Sequence, residues 1–79
     1  MFTVYVLYSA SLDRLYIGQT NNLSSRLKQH MSGLSRYTKR TTDWKVLHTE
    51  EFYTRSEARK REDELKSHQG RNYLRSLIS

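Results

Sequence analysis

The chain has 79 residues, which is enough for one small domain, and we expect residues 1–79 to fold as one unit. It contains no cysteine, which excludes a disulfide-stapled scaffold and a cysteine-based metal site. No apolar run is long enough to span a bilayer and no secretory leader pattern is present, so we expect a cytoplasmic protein without membrane attachment. The net charge of +6 is concentrated in residues 1–40, which hold six Lys and Arg against Asp13 alone. This excess favours nucleic acid as the partner, ahead of anionic lipid or a ribosomal surface.

The first two elements are predicted to be strands that pair as a hairpin. Residues 2–8 are dense in β-branched and aromatic side chains and are apolar on both faces, which is typical of a central strand. Polar residues 9–14 supply a turn, and residues 15–20 predict an antiparallel return strand because the link is short. Pairing would bring Tyr5 near Tyr16, although two tyrosines in a sheet can simply be packing residues.

Gly18 lies where the second strand should end. A glycine there either adopts a backbone angle φ that other residues disfavour, or leaves room for another backbone or a phosphate to approach closely.

A first helix is predicted after the side-chain caps offered by residues 20–22. Apolar residues then recur at helical spacing over residues 23–34, and Gly33 provides a stop. Arg26 and His30 are four residues apart and therefore share one helix face. If that face is turned toward the hairpin, both side chains would lie near the tyrosines. The alternative is a solvated arginine beside a surface histidine.

Residues 35–43 are polar and basic and are predicted to form a loop. A basic loop with an aromatic residue can hold a phosphate backbone and stack on a base, and a plain connector is the alternative. The basic residues in question are Arg36, Lys39 and Arg40.

A third strand is predicted at residues 44–52, with Trp44 as a packing anchor and His48 on the strand surface. Thr54 and Glu57 then fit a capping box, which predicts the start of a second helix.

Glu62 interrupts the apolar stripe of this second helix. Ala58, Glu62 and Leu65 are four and three residues apart, so all three should face the core. An inward carboxylate is costly unless it is paired, hydrogen-bonded or bound to a metal. Structural pairing with an arginine and a metal site are both consistent with this pattern.

The second helix is predicted to break at residues 69–70. A short C-terminal helix at residues 72–78 follows, packing through Tyr73, Leu74, Leu77 and Ile78. Arg71 and Arg75 are then left for solvent or phosphate.

Two short motifs and three single residues, in this order, carry a resemblance to a known family. Val4-Tyr5-Val6 precedes Tyr16-Ile17-Gly18, and Arg26, His30 and a later helical Glu62 follow. This set resembles the GIY-YIG nucleases, which include the N-terminal nuclease domain of a bacterial excinuclease and intron homing endonucleases. The resemblance covers almost the whole chain and is strongest to small stand-alone bacterial members. The first motif reads VYV, without the glycine and isoleucine that name it, but its tyrosine is present.

The resemblance implies an α+β fold in which a small three-stranded antiparallel sheet is flanked by helices in the order β-β-α-β-α-α. It also implies a divalent cation, one Mg²⁺ or Mn²⁺, held by Glu62. By the same resemblance Tyr5 would be the general base or orient the attacking water, and Tyr16 would position water or the phosphate and could share the base role. Arg26 would neutralise phosphoryl charge, and His30 would tune proton transfer. A tyrosine is a poor base at its ordinary pKa, so we expect Arg26, His30 or metal-bound water to lower it.

Two functions are compatible with this sequence. The first is a metal-dependent DNA endonuclease with catalytic Tyr5, Tyr16, Arg26 and His30. The second is a non-catalytic nucleic-acid-binding module of the same fold. Gly18 and Asn72 are additional candidate site residues, Asn72 because many members use an asparagine after the glutamate. The residues expected to bind nucleic acid are Arg36, Lys39, Arg40, Arg71 and Arg75.

Overall fold

A computed structural model describes residues 1–31 and 43–78. Within these residues, three strands and three helices follow one another in the predicted order β-β-α-β-α-α, so the α+β fold class is confirmed. They are β1 (Phe2–Ser9), β2 (Arg14–Thr20), α1 (Leu23–Met31), β3 (Lys45–Phe52), α2 (Arg55–Lys66) and α3 (His68–Ser76).

The sheet has the strand order β2-β1-β3, with both pairs antiparallel, so β1 is the central strand as predicted. The side chains on its two faces pack in two separate clusters, because successive side chains alternate along a strand. Val4 and Val6 lie in one buried cluster, whereas Tyr5 and Leu7 lie in the other. All four are at most 1% exposed. The central strand is therefore covered on both faces.

The helices pack against both faces of the central strand. Ala58 and Leu65 of α2 and Leu74 of α3 pack in the cluster of Val4 and Val6. On the opposite face, Trp44 is buried against Tyr5 and Leu7, and Leu23 and Leu27 of α1 pack beside them. α1 and α2 are thus on opposite sides of the sheet.

The capping box predicted for α2 is present. The Thr54 hydroxyl accepts a hydrogen bond from the Glu57 backbone N–H at 3.2 Å, and the Glu57 carboxylate accepts one from the Thr54 N–H at 3.3 Å. His48 lies on β3 and its Nε2 is 2.7 Å from Glu50 Oε2, so it is engaged in the sheet as a strand-surface residue.

The predicted break at residues 69–70 was wrong. α2 ends at Lys66, and Ser67 is at once its C-cap and the N-cap of α3. Gly70 lies inside α3. A Cβ at this position would come within 2.5 Å of the Leu65 Cα and closer still to the Glu64 carbonyl oxygen. The glycine therefore permits a close helix crossing and does not end a helix.

The packing face predicted for the last helix was also partly wrong. Leu74 is fully buried and Ile78 packs on the core, but Tyr73 and Leu77 are 46% and 42% exposed. Leu74 and Ile78 are four residues apart and therefore lie in one line along the helix, and only this line packs on the core. The Tyr73 ring instead meets the His48 ring edge-on at 6.0 Å. Among the described residues, no helix has the length and apolarity needed to cross a bilayer.

Candidate active site

Two tyrosines and a histidine form a compact aromatic cluster on one face of the β1–β2 hairpin. The Tyr5 hydroxyl is hydrogen-bonded to Nε2 of His30 at 2.9 Å. The Tyr16 ring centroid lies 4.8 Å from that of His30 and 6.1 Å from that of Tyr5. Tyr16 is also among the groups that raise the pKa of Tyr5, so the two side chains influence each other. The three side chains therefore form one contacting cluster.

The strand register explains how the tyrosines meet. Tyr5 is directly opposite Gly18, and Tyr16 is opposite Leu7. Tyr5 and Tyr16 are thus diagonal neighbours on the same face, within reach of aromatic side chains.

Gly18 supplies the space that the Tyr5 ring occupies. A Cβ at residue 18 would lie 2.7 Å from the Tyr5 hydroxyl oxygen and 2.9 Å from its ring carbon Cζ. Tyr5 is 1% exposed and has no room to retreat. The close approach expected at this glycine is therefore made by the side chain of Tyr5.

Alanine at residue 18 is expected to push the Tyr5 hydroxyl away from His30. Because the buried ring cannot move freely, we expect a loss of about 2 kcal/mol in the free energy of unfolding. Urea unfolding of Gly18→Ala measures this, with Gly18→Ala/Tyr5→Leu as the companion variant. If the clash is the cause, removing the phenol ring must recover part of the loss. An equal or larger loss in the double variant contradicts the explanation.

α1 contributes His30 and Arg26 from one face, as the spacing predicts. His30 is buried at 1% exposure and contacts both tyrosines, whereas Arg26 is exposed. The Arg26 charge acts on both neighbours, since it opposes protonation of His30 and favours ionisation of Tyr5. Arg26 is therefore close enough to influence charge in the cluster while remaining accessible from solvent.

Burial controls the protonation state of Tyr5. Desolvation, followed by the effect of Tyr16, raises the pKa of Tyr5 well above its usual range, and the opposing effect of Arg26 is smaller. The lowering expected from Arg26 is therefore present, but burial outweighs it and the pKa of Tyr5 is raised. Desolvation and Arg26 also lower the pKa of His30, so the cluster is a neutral phenol beside a neutral imidazole at neutral pH.

The lowered pKa of His30 predicts a loss of stability in acid. The unfolded chain binds a proton at His30 more readily than the folded one, so stability rises with pH in this range. We expect the contribution of His30 to be complete above pH 6.5, its ordinary pKa, and to be lost as the pH falls from there through the lower folded pKa. Chemical unfolding at several pH values measures this against His30→Gln, which keeps an amide at Tyr5 but does not titrate. Parallel pH profiles for the two proteins would contradict the prediction.

Glu62 approaches the same cluster from α2. Its side chain is 16% exposed and lies on the stripe of Ala58 and Leu65, both of which are buried. Its charge is among the causes that raise the pKa of Tyr5, so the carboxylate lies within electrostatic range of that hydroxyl. Oε2 of Glu62 accepts a hydrogen bond from Nζ of Lys66 at 2.7 Å.

These residues fit a hard divalent cation with few protein ligands. Among the described residues no three His, Cys, Asp or Glu side chains are grouped as a metal site, so a chelating cage is not formed there. Mg²⁺ is commonly held by one or two carboxylates and keeps several of its waters. Glu62, which already binds the cationic Lys66, is such a carboxylate.

A shallow groove of about 240 Å³ runs beside the cluster along the sheet edge formed by β2. It is basic on one side and has an aromatic and two aliphatic residues on the other. We call it the β2 groove, and it is lined by Leu15, Tyr16, Ile17, Lys66 and Arg71.

The structure distributes the remaining predicted residues differently. Arg71 lines the β2 groove, whereas Arg75 donates hydrogen bonds to the carboxylate and the backbone carbonyl of Asp13 in the hairpin turn. Asn72 is exposed on α3, where its amide lies 3.4 Å from Nε2 of His68 in the preceding turn. Arg36, Lys39 and Arg40 lie outside the described residues.

Lys66 is the residue that the sequence interpretation overlooked. Its spacing from Glu62, four residues along one helix, is the signal that would have indicated the pair.

A comparison with known proteins identifies the family of this chain. The model of the GIY-YIG catalytic domain matches residues 1–74. The chain belongs to the GIY-YIG family. GIY-YIG domains form a superfamily of nucleases that act on nucleic acid and generally use a divalent metal.

Relatives within the GIY-YIG family are small proteins of similar length. A UPF0213 protein of Natronomonas pharaonis is 42% identical over 65 residues, covering 81% of this chain and 75% of the relative. One of Haloquadratum walsbyi is 38% identical over 66 residues, covering 82% and 73%. The solution NMR structure of the UPF0213 protein BH0048 from Bacillus halodurans has a TM-score of 0.58 at 31% identity, covering 98% of this chain and 85% of that one. This neighbour has the same GIY-YIG fold.

Proposed function

We propose that this protein is a metal-dependent endonuclease that hydrolyses phosphodiester bonds in DNA. The observation that carries the proposal is the cluster of Tyr16, Tyr5 and His30, in which Tyr5 is hydrogen-bonded to His30. Arg26 and Glu62 act on this cluster electrostatically. Proton transfer, stabilisation of phosphoryl charge and cation binding are thereby available within one small region.

The tyrosines differ in exposure, and this divides their roles. Tyr16 is partly exposed and borders the β2 groove, so its hydroxyl is the one that meets water from solvent. Tyr5 is buried, and its hydroxyl is hydrogen-bonded to Nε2 of His30. The attacking water gives its proton to the Tyr16 oxygen, the Tyr16 proton passes to Tyr5, and the Tyr5 proton passes to Nε2 of His30. The water oxygen bonds to phosphorus as the bond from phosphorus to the leaving oxygen breaks. The leaving oxygen departs with that electron pair and takes a proton from solvent.

A neutral phenol suits this relay better than a standing phenolate. A group that accepts one proton while releasing another needs no lowered pKa, so the raised pKa of Tyr5 is compatible with the step. His30 is neutral and can take the proton. Tyr5 thus acts as a relay and His30 as the final acceptor.

Charge on the phosphoryl group is the second requirement. Arg26 is exposed beside the cluster and supplies a planar cation that suits phosphate oxygens. A divalent ion bound to Glu62 would provide Lewis-acid stabilisation of that charge.

Cleavage of supercoiled plasmid and of flapped or branched DNA, with Mg²⁺ or Mn²⁺, tests the proposal. Tyr5→Phe keeps the ring and removes the relay hydroxyl, so we expect cleavage to fall by about 100-fold or more. Tyr53→Phe is the matched control because Tyr53 is 82% exposed and the change removes the same hydroxyl from the surface. Equal cleavage by wild type and Tyr5→Phe would mean that Tyr5 carries no proton and would contradict the proposed relay.

A non-catalytic nucleic-acid-binding module is the second candidate. The observation that favours it is the ion pair between Glu62 and Lys66, which neutralises the carboxylate. This candidate predicts salt-dependent DNA affinity without cleavage of any substrate in the panel, with or without divalent metal.

A further inference from the structure

Lys66 is shared between two neighbouring sites. Its ammonium group is 2.7 Å from Oε2 of Glu62, and the same residue lines the β2 groove together with Tyr16 and Arg71. One flexible cation therefore lies between the carboxylate that would hold the metal and the groove that would hold phosphate.

Glu62 and Lys66 differ in how freely their side chains can move. Glu62 is 16% exposed on the inward stripe of α2, whereas Lys66 is 46% exposed at the end of the helix. An ion pair between residues four apart on a helix contributes little to stability, and the lysine stem is long and rotatable. Lys66 can therefore leave Glu62 at low cost, whereas Glu62 is held in place.

Two cations at one carboxylate repel each other strongly at short distance. A divalent ion at Glu62 would therefore displace the ammonium group. The β2 groove is the adjacent surface that Lys66 already lines, and Arg71 lies there as a second cation. A backbone phosphate passing Tyr16 would meet both.

We infer that Lys66 is an exchangeable cation. It neutralises Glu62 while the site holds no metal, and it moves to a backbone phosphate in the β2 groove when a divalent ion takes the carboxylate. The inference rests on the proposed function for the identity of the metal and the phosphate. It makes Lys66 a residue that couples metal binding to nucleic-acid binding.

The first test removes the carboxylate charge and leaves out the metal, so that cleavage plays no part. Fluorescence anisotropy with a labelled DNA duplex in EDTA compares wild type, Glu62→Gln and Glu62→Gln/Lys66→Gln. Asp63→Asn is the matched control because it removes the same charge from an exposed position on α2. Glu62→Gln frees Lys66, so its affinity is expected to rise by about tenfold and its salt slope to steepen by about 1.

That gain must exceed the gain of Asp63→Asn and must disappear in Glu62→Gln/Lys66→Gln. Equal gains in Glu62→Gln and Asp63→Asn, or a gain that survives loss of Lys66, would overturn the inference.

The second test measures Mn²⁺ binding directly by electron paramagnetic resonance, without DNA. Lys66→Gln removes the competing ammonium group and is expected to bind Mn²⁺ about tenfold more tightly. Lys60→Gln, which changes an exposed lysine on the same helix, is expected to match wild type. Equal Mn²⁺ affinity in Lys66→Gln and wild type would overturn the inference. Because neither test uses cleavage, a protein that fails to cut DNA can still support it, and an active nuclease can still contradict it.

Discussion

Glu62→Gln is expected to reduce DNA cleavage by about 1000-fold at saturating Mg²⁺. The amide keeps the size of the side chain and its place on the stripe of α2 but lacks the charge that holds a divalent ion. Glu62 is the partly buried carboxylate whose charge acts on Tyr5, so a neighbouring acidic residue cannot replace it. The rate of plasmid nicking under single-turnover conditions measures the loss.

Asp63→Asn is the control for the charge change, since Asp63 is adjacent to Glu62 on α2. Its nicking rate is expected to stay near that of wild type. Circular dichroism must show the same fold for both variants, because the ion pair with Lys66 contributes little to stability. Nicking by Glu62→Gln at the wild-type rate would contradict the metal-binding role. Nicking lost equally in both variants would show that total negative charge, not Glu62, is what matters.

Gly70→Ala is expected to destabilise the fold by about 3 kcal/mol, which corresponds to a drop in Tm of roughly 15 °C. The added methyl group would meet the Glu64 carbonyl oxygen and the Leu65 Cα, which are backbone atoms and cannot rotate away. Relief requires α3 to move from α2. That movement would withdraw Leu74 from the core and shift Arg71 out of the β2 groove.

Gln69→Ala is the matched control, because Gln69 is exposed at the preceding position of α3. Its effect on the free energy of unfolding is expected to remain within about 0.5 kcal/mol. Thermal unfolding followed by circular dichroism compares the three proteins. A Tm for Gly70→Ala close to the Gln69→Ala value would show that the helix crossing relaxes without cost.

The sequence predicted the features that depend on local periodicity. Apolar residues on both faces of residues 2–8 indicated a central strand, because only a strand that is covered on both faces can bury all of these side chains. The spacing of Ala58, Glu62 and Leu65 likewise indicated that a carboxylate would turn inward. These patterns depend only on the types of side chain and their spacing along the chain, and not on contacts between distant residues.

Other features depended on contacts that no local pattern contains. Gly70 was misread because a glycine can end a helix or permit a close crossing, and only the position of α2 decides between them. The protonation of Tyr5 was misjudged because Arg26 is visible in the sequence, whereas the burial that outweighs it arises from Trp44 and α1. Tertiary contacts thus determined both outcomes.

The alternation of β1 also has a consequence for how this chain can change over evolutionary time. Odd-numbered Tyr5 and Leu7 face the side of the candidate site, and even-numbered Val4 and Val6 face the opposite cluster. Deleting or inserting one residue in β1 would exchange the two sets, placing valines beside His30 and a phenol in the aliphatic core. Point substitutions can therefore tune one face while the other stays constant. Changes in strand length, by contrast, would damage folding and chemistry in a single step.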